Sequence, residues 1–171
     1  MLSDLPSPAQ FLPEVISAVE AASDEILKIY RSGFTVRTKS DESPVTDADE
    51  AAERIILPKL AALLPEVPVI SEEVQAGNDA LAAGGSRFWL VDPLDGTKEF
   101  VAKRDDFTVN VALIENGRPV LGVVSAPAKG LLFTGAGPDT ARGGNLGEDL
   151  RPIASRPSPA GGIVVLTSRS H

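Results

Sequence analysis

Two aspartates at the end of an apolar stretch have the residue types and spacing of a metal site. The apolar run 88–91 leads into Asp92, Pro93 predicts a turn, and Asp95 follows three positions after Asp92. We therefore expect both carboxylates on one side of the turn, where the carbonyl oxygen of Leu94 is also free. Carboxylate and carbonyl oxygens are the ligands of hard cations such as Mg²⁺. The alternative interpretation is a Pro-Gly turn whose aspartates cap local backbone donors.

The residues after Asp95 suit the close approach of a ligand. Gly96 lets the backbone come near to it, and Thr97 adds a hydroxyl group. The chain contains no cysteine, and its single histidine is His171. These counts exclude disulfides and thiolate metal sites, and they argue against a histidine-based triad within this chain.

Two further acidic clusters precede this stretch. Glu72 and Glu73 follow a short apolar strand predicted around Val69, and two strand ends of one sheet can place Glu72 beside Asp92. A solvated loop is the alternative interpretation of this cluster. The other cluster, within residues 44–50, lies at the start of a predicted helix, where ordinary N-terminal capping would also explain it.

Taken together, the three clusters resemble the inositol monophosphatase superfamily of metal-dependent, lithium-sensitive phosphatases. The resemblance rests on the order and spacing of Ser-Pro-Val-Thr-x-Ala-Asp at 43–49, Ile-Ser-Glu-Glu at 70–73 and Trp-x-x-Asp-Pro-Leu-Asp-Gly-Thr at 89–97. The residues 98–100, Lys-Glu-Phe, and the final segment 168–171 are similar to the 3'(2'),5'-bisphosphate nucleotidase branch, often called CysQ.

This resemblance implies a ligand set for Mg²⁺, with Mn²⁺ as a possible substitute. Glu72, Asp92 and the Leu94 carbonyl would hold a first ion. Asp92 would bridge to a second ion that Asp95 also holds.

The resemblance also assigns the catalytic and substrate-binding residues. Asp49 and Thr97 would orient and activate the attacking water. Backbone donors around Gly96 and Thr97 would hold the phosphate group of a small-molecule ester. The substrate-binding residues implied in this way are Glu72, Leu94, Asp95, Gly96 and Thr97.

The activity implied is hydrolysis of adenosine 3',5'-bisphosphate to AMP and phosphate through a metal-activated water, as in the clearance of this by-product of sulfate assimilation. The alternatives are an inositol-1-phosphate or sugar-bisphosphate phosphatase of the same superfamily, and an inactive metal-binding remnant. A departure from the family favours the last alternative. The family takes a further metal ligand from a Trp-Asp pair, whereas the only tryptophan here is Trp89, which Leu90 follows.

We therefore expect residues 1–171 to be the N-terminal, metal-binding subdomain of such an enzyme, with the second subdomain absent. The isolated chain should then show weak or no phosphatase activity. A sheet edge or apolar patch left open after the predicted strand 163–166 would favour association, so we expect a homo-oligomer.

The bulk properties exclude several classes of function. With 16 Lys and Arg against 24 Asp and Glu, the net charge is −8, which disfavours nucleic acid as a partner. No stretch is long and apolar enough to predict a transmembrane segment, and the N-terminus lacks the pattern of a signal peptide. The absence of cysteine is compatible with a reducing compartment, and we expect a cytoplasmic protein.

The elements that must position these residues can also be predicted. Apolar residues recur at helical spacing over 10–31, and a second helix is expected to start near Asp47, which would cap it with Glu50 as reciprocal partner. Pro58 should kink this second helix.

Beyond residue 87, the pattern predicts strands. Asn116-Gly117 is a strong hairpin signal between strands 107–114 and 120–126, and a third antiparallel strand is predicted at 131–134. Residues 135–159 are expected to be irregular or edge structure. The predicted fold class is α+β, with two N-terminal helices packed on a mostly antiparallel sheet.

Overall fold

The computed structural model describes residues 6–38, 44–72, 86–157 and 159–162, together with Val165. The helices are α1 (Leu12–Ser32), α2 (Asp47–Leu63) and the short α3 (Thr97–Val101). The strands are β1 (Val36–Thr38), β2 (Pro44–Thr46), β3 (Val69–Ser71), β4 (Arg87–Asp95), β5 (Thr108–Glu115), β6 (Arg118–Ala126), β7 (Leu131–Gly135), β8 (Arg142–Asn145) and β9 (Arg151–Pro152). The strand predicted at 163–166 lies largely outside the described residues, and Glu73 and the segment 168–171 lie entirely outside them.

Strands β3 to β9 form one seven-stranded sheet in which the spatial order follows the chain order. Strand β3 runs parallel to β4, and every later neighbouring pair is antiparallel. Strands β1 and β2 form a separate two-stranded ribbon. The predicted fold class, two N-terminal helices on a mostly antiparallel sheet, is confirmed.

One face of the sheet carries the core. Helix α1 packs over β5, β6 and β7, and α2 packs over β4. The buried side chains of α1 lie three or four positions apart, as in Val15, Val19 and Ala22, so they form one stripe along the helix. Trp89 on β4 is fully buried beneath the helices.

The opposite face of the sheet is partly open. Side chains alternate between the two faces of a strand, so Leu90, Val124 and Phe133 point away from the helices. They remain 45 %, 38 % and 39 % exposed, respectively. These three side chains give the open sheet face an apolar character.

Among the described helices, none combines the length and the apolar character needed to cross a bilayer.

The capping pattern of helix α2 begins one residue earlier than predicted. Thr46, and not Asp47, is the N-cap residue, and its reciprocal partner is Asp49, not Glu50. Asp47 instead accepts a hydrogen bond from the backbone N–H of Thr35 at 3.0 Å. The prediction failed because Thr46 and Asp47 are both good N-cap residues and the spacing of acids fits either one.

Helix α2 continues through Pro58 to Leu63, and the kink expected at Pro58 stays a prediction. A proline inside a helix leaves the carbonyl four residues earlier without its usual donor. Here that residue is Arg54, and both Arg54 and Pro58 lie on the exposed side of the helix. Water can therefore satisfy the carbonyl, and the buried stripe is not interrupted.

The hairpin prediction is confirmed in detail. Asn116 and Gly117 connect β5 to β6, with φ of 50° and 74°. The predicted third strand is β7, which begins after Gly130, a residue with φ of 64°. Residues 135–159 contain the short strands β8 and β9 at the sheet edge, in agreement with the predicted edge structure.

Replacing Pro58 with Ala should stabilise the protein. The substitution restores a backbone donor in the interior of α2 at an exposed position, and proline costs about 3 kcal/mol relative to alanine in a helix interior. The loss of proline's rigidity in the unfolded chain offsets part of this gain, so we expect about 1–2 kcal/mol. Thermal unfolding followed by circular dichroism measures the effect. The neighbouring, exposed Lys59→Ala is the control, and an unchanged or lower Tm for Pro58→Ala would contradict the interpretation.

Candidate active site

The parallel pair β3 and β4 brings the first two acidic residues to one edge of the sheet. Ser71 is the register partner of Val91, so the next residue along each strand, Glu72 and Asp92, emerges at the same end. The backbone N–H of Glu72 donates to the Val91 carbonyl at 3.2 Å, which fixes this register at the end of the pair. The structure therefore places Glu72 beside Asp92, as the sequence predicted.

Beyond Asp92, strand β4 distorts instead of turning away. The expected turn at Pro93 is wrong, because β4 continues to Asp95 with a shift in register against β5 between Asp92 and Asp95. The backbone N–H of Leu94 donates to Asp92 Oδ1 at 3.2 Å, and Asn110 Nδ2 on β5 donates to Asp95 Oδ2 at 3.3 Å. This bulge holds the two aspartates three positions apart at the strand end.

Gly96 follows the bulge in a conformation that needs glycine. Its φ is +90°, and a Cβ atom there would lie 2.8 Å from the backbone oxygen of Asp106. Neither the dihedral angle nor the space tolerates a side chain. Gly96 therefore lets the chain reverse closely past 106–107 and start α3 with Thr97 at the site.

Thr97 connects the bulge to the start of α2. Its Oγ1 lies 3.0 Å from the Leu94 carbonyl oxygen and 3.3 Å from Asp49 Oδ1. Both are acceptors, so the single hydroxyl hydrogen is shared between them. The candidate catalytic pair of Asp49 and Thr97 is thus brought together although 48 positions separate the two residues in the chain.

Asp49 is held in place by the cap of α2. The backbone N–H and the hydroxyl of Thr46 donate to Asp49 Oδ2 at 2.7 Å and 2.6 Å. Asp49 is only 1 % exposed, and this burial raises the pKa of its carboxyl above the ordinary value, while the hydrogen bonds from Thr46 and Thr97 act in the opposite direction. A buried carboxylate with a raised pKa is a feature of acid–base groups in active sites.

The site opens into a pocket of about 170 Å³. Its lining residues are Pro44, Glu72, Leu94, Asp95, Gly96, Thr97, Lys98 and Glu99. All five residues predicted to bind substrate are in this lining, and Asp49 and Asp92 lie directly beside it through their contacts with Thr97 and Leu94.

Sequence reasoning missed two residues that order the site. Thr46 had no assigned role, although a hydroxyl residue three positions before an acid is the spacing of a capping box. Asn110 alternates with apolar residues, which indicates only one face of a sheet, and no sequence signal pairs it with Asp95. Its position opposite Asp92 across β4 and β5 follows from strand register alone.

The carboxylates of the site repel one another. Burial, and then the negative charges of Glu72 and Asp95, raise the pKa of Asp92 from 3.8 to about 7. Without a cation, a proton on Asp92 is the means of relieving this repulsion. In the part of the chain that the structure describes, no three acidic or histidine side chains already converge into a metal cage.

The residues present nevertheless fit a divalent cation of the magnesium type. The oxygen donors near this strand end are the Asp92 carboxylate, the neighbouring Glu72 and Asp95 carboxylates and the carbonyl oxygen of Leu94, with no nitrogen or sulfur ligand among them. Such an all-oxygen set suits Mg²⁺ or Mn²⁺. The positive charge of a cation would offset the mutual repulsion of the carboxylates.

Comparisons with known proteins identify the family of the chain. The sequence profile of the inositol monophosphatase family matches residues 8–169. The 3'(2'),5'-bisphosphate nucleotidase CysQ of Escherichia coli K12 is 45 % identical over 127 residues, which are 73 % of this chain and 51 % of the relative. The chain therefore spans about half the length of the curated relatives that it matches.

Two solved structures are similar to the chain in fold as well as in sequence. The CysQ structure from Bacteroides thetaiotaomicron is 35 % identical, with a TM-score of 0.63 over 80 % of this chain and 49 % of that chain. The extragenic suppressor protein SuhB from Bartonella henselae is 29 % identical, with a TM-score of 0.67 over 77 % of this chain and 51 % of that chain.

Asp92→Asn should raise the stability of the metal-free protein at high pH and should lower the stabilisation that Mg²⁺ provides. The folded-state pKa of Asp92 lies above its unfolded value, so the folded state holds a proton between about pH 4 and 7 that the unfolded state has lost. The contribution of this bound proton to the stability of the folded state is present at low pH and is lost as the pH rises through about 7. Asparagine mimics the protonated form, so the variant should gain stability relative to the wild type as the pH rises from 5 to 8.

Thermal unfolding at pH 5 and pH 8, with and without Mg²⁺, measures both effects. Mg²⁺ should raise the Tm of the wild type more at pH 8, where Asp92 has lost its proton, and should raise that of Asp92→Asn little or not at all. The exposed, distant Asp149→Asn is the matched control and should behave as the wild type. Equal stabilisation of Asp92→Asn by Mg²⁺ would contradict the assignment.

Proposed function

The chain belongs to the inositol monophosphatase family, and we propose that it forms the metal-binding half of a magnesium-dependent phosphomonoesterase. Its substrate would be adenosine 3',5'-bisphosphate, cleaved to AMP and inorganic phosphate. The observation that carries the proposal is the meeting of two groups at one pocket: the carboxylates Glu72, Asp92 and Asp95, and the pair of Asp49 and Thr97. The first group suits a cation, and the second suits proton transfer.

Glu72, Asp92, Asp95 and the Leu94 carbonyl would hold the metal. Mg²⁺, when bound, would supply positive charge that offsets the carboxylates and the negative charge developing on the phosphate in the transition state. Mn²⁺ fits the same donors. The net charge of −8 makes such a cation important, since the protein otherwise repels an anionic substrate.

Asp49 and Thr97 would activate the water. A water placed at Thr97 Oγ1 can give a proton to that oxygen while the Thr97 hydroxyl gives its own proton to Asp49 Oδ1, 3.3 Å away. The raised pKa of the buried Asp49 carboxyl makes it a better proton acceptor than an ordinary aspartate. Its other oxygen is occupied by Thr46, so only Oδ1 is available for this transfer.

The phosphate ester would bind against the backbone at 96–97. Gly96 and Thr97 both line the pocket, so their backbone N–H groups would be the donors to the phosphate. Lys98 is a basic residue in the lining and adds positive charge at the pocket rim. These groups orient the ester toward Thr97.

The choice of adenosine 3',5'-bisphosphate rests on the relatives. The E. coli and B. thetaiotaomicron proteins at 45 % and 35 % identity carry the CysQ name, and the former is a 3'(2'),5'-bisphosphate nucleotidase. Residues 98–100 resemble the same branch. We propose by the same reasoning that the activity is inhibited by lithium and serves sulfate assimilation in the cytoplasm.

Phosphate release from a substrate panel tests the proposal. The panel is adenosine 3',5'-bisphosphate, inositol 1-phosphate and fructose 1,6-bisphosphate, each with Mg²⁺ and with EDTA at high protein concentration. We expect slow, EDTA-sensitive release that is greatest with adenosine 3',5'-bisphosphate. Thr97→Val removes only the hydroxyl and should lower kcat by about 10²–10⁴, whereas Thr97→Ser should retain most of it.

Each other outcome has a defined meaning. Faster release from inositol 1-phosphate or fructose 1,6-bisphosphate would replace the proposed substrate with that compound. Magnesium binding without release from any ester would identify the chain as an inactive metal-binding remnant. Release that is indifferent to EDTA would reject the metal-dependent mechanism.

Association of copies of the chain stays a prediction. The partly exposed side chains of Leu90, Val124 and Phe133 give the open sheet face an apolar character that favours contact with another surface. Light scattering should give a mass above 17.9 kDa. Val124→Lys should reduce that mass, Arg118→Lys on the same strand should not, and a monomeric wild type would contradict the prediction.

A further inference from the structure

Thr46 has two roles beside the pocket, since it caps helix α2 and also hydrogen-bonds to Asp49, the proposed proton acceptor. It ends β2, caps α2 and is fully buried. Its Oγ1 accepts from the backbone N–H of Ala48 at 3.2 Å and donates to Asp49 Oδ2 at 2.6 Å. Of these two partners, the Ala48 N–H is a donor and the Asp49 carboxylate is an acceptor, so the hydroxyl hydrogen of Thr46 points to Asp49.

These hydrogen bonds divide the Asp49 carboxylate into two unequal oxygens. Oδ2 accepts both the backbone N–H and the hydroxyl of Thr46, at 2.7 Å and 2.6 Å. Oδ1 faces Thr97 Oγ1 at 3.3 Å. A carboxylate with both donors on one oxygen cannot rotate about its terminal bond without losing them, so Oδ1 stays directed at Thr97.

We infer that Thr46 is a positioning residue for the reaction, because its hydroxyl orients the Asp49 carboxylate so that Oδ1 faces Thr97. The role goes beyond capping, which requires only the acceptor function of Oγ1 toward α2. The backbone of Thr46 supports the role, since φ of −123° and ψ of 168° are extended values fixed by the pairing of β2 with β1. Threonine is also branched at Cβ, which restricts the rotation of its hydroxyl.

The test compares three variants of the chain. Thr46→Val keeps the shape and removes the hydroxyl, Thr46→Ser keeps the hydroxyl, and Ala61→Gly weakens α2 at an exposed position far from Asp49. The last variant should cost about 1 kcal/mol, similar to the loss of an N-cap. It therefore reports what destabilisation of α2 does without any change at the site.

The first measurement is the side-chain rotamer of Asp49, including the rotation of its carboxylate about the Cβ–Cγ bond, obtained from high-resolution crystal structures of the variants. The wild type, Thr46→Ser and Ala61→Gly should hold Asp49 in one rotamer with Oδ1 facing Thr97 Oγ1, as at 3.3 Å here. Thr46→Val should show a rotated carboxylate or several carboxylate orientations. A single, unchanged Asp49 rotamer in Thr46→Val would overturn the inference.

The second measurement is steady-state phosphate release with Mg²⁺, and this arm rests on the proposed function. Thr46→Val should lower kcat by about tenfold or more with KM changed by less than about twofold, because orientation of Asp49 matters only in the reacting complex. Thr46→Ser should restore kcat. A loss of kcat no larger than that of Ala61→Gly, or no recovery in Thr46→Ser, would contradict the positioning role.

The two measurements separate the two hypotheses. If the wild-type chain releases no phosphate, the proposed function fails in this chain, and the Asp49 rotamer alone decides the role of Thr46. If Thr46→Val is too unstable for study, the same comparison is made at 10 °C with Pro58→Ala in all variants. Pro58 is exposed and lies three turns of α2 away from Thr46, so the two changes should be additive.

Discussion

The parallel pairing of β3 with β4 is the constraint on which the candidate site depends. Antiparallel neighbours bring the end of one strand to the start of the next, so two strand ends meet at one edge only where the pairing is parallel. Among the described strands of the seven-stranded sheet, β3 and β4 are the only such pair. Glu72 and Asp92 can therefore meet at this edge, and the bulge after Asp92 adds Asp95 and the Leu94 carbonyl to it.

The close approach of acidic side chains at that edge destabilises the folded state, and interactions elsewhere in the fold must offset this. The pKa of Asp92 rises to about 7 because burial and two neighbouring carboxylates all disfavour its charged form. The buried stripes of α1 and α2 and the Trp89 side chain supply apolar burial away from the site. The fold thus tolerates the repulsion at the site, and the same repulsion would favour the binding of the proposed divalent cation.

Patterns confined to one element could be predicted from the sequence, and features that depend on register or on a neighbouring element could not. The helical spacing of α1 and the Asn116-Gly117 turn are local, and both were predicted correctly. The continuation of α2 through Pro58 depends on which side of the helix faces water. The course of the chain after Pro93 depends on pairing with β5, where Asn110 holds Asp95. The candidate site residues could be proposed because Glu72 and Asp92 directly follow predicted strands and Asp49 lies near the start of a predicted helix.

The N-cap of α2 shows how a shift of one residue changes the chemistry of a site. Successive residues of a helix point about 100° apart, so the choice of cap decides which acid of the first turn faces inward. With Thr46 as the cap, Asp49 turns inward to Thr97, whereas Asp47 and Glu50 turn outward to Arg37 at 3.5 Å and 2.7 Å. Had Asp47 been the cap, the reciprocal position would belong to Glu50 and Asp49 would lose its contacts with Thr46. The hydrogen bonds that start the helix are thus the same ones that select Asp49 for the pocket.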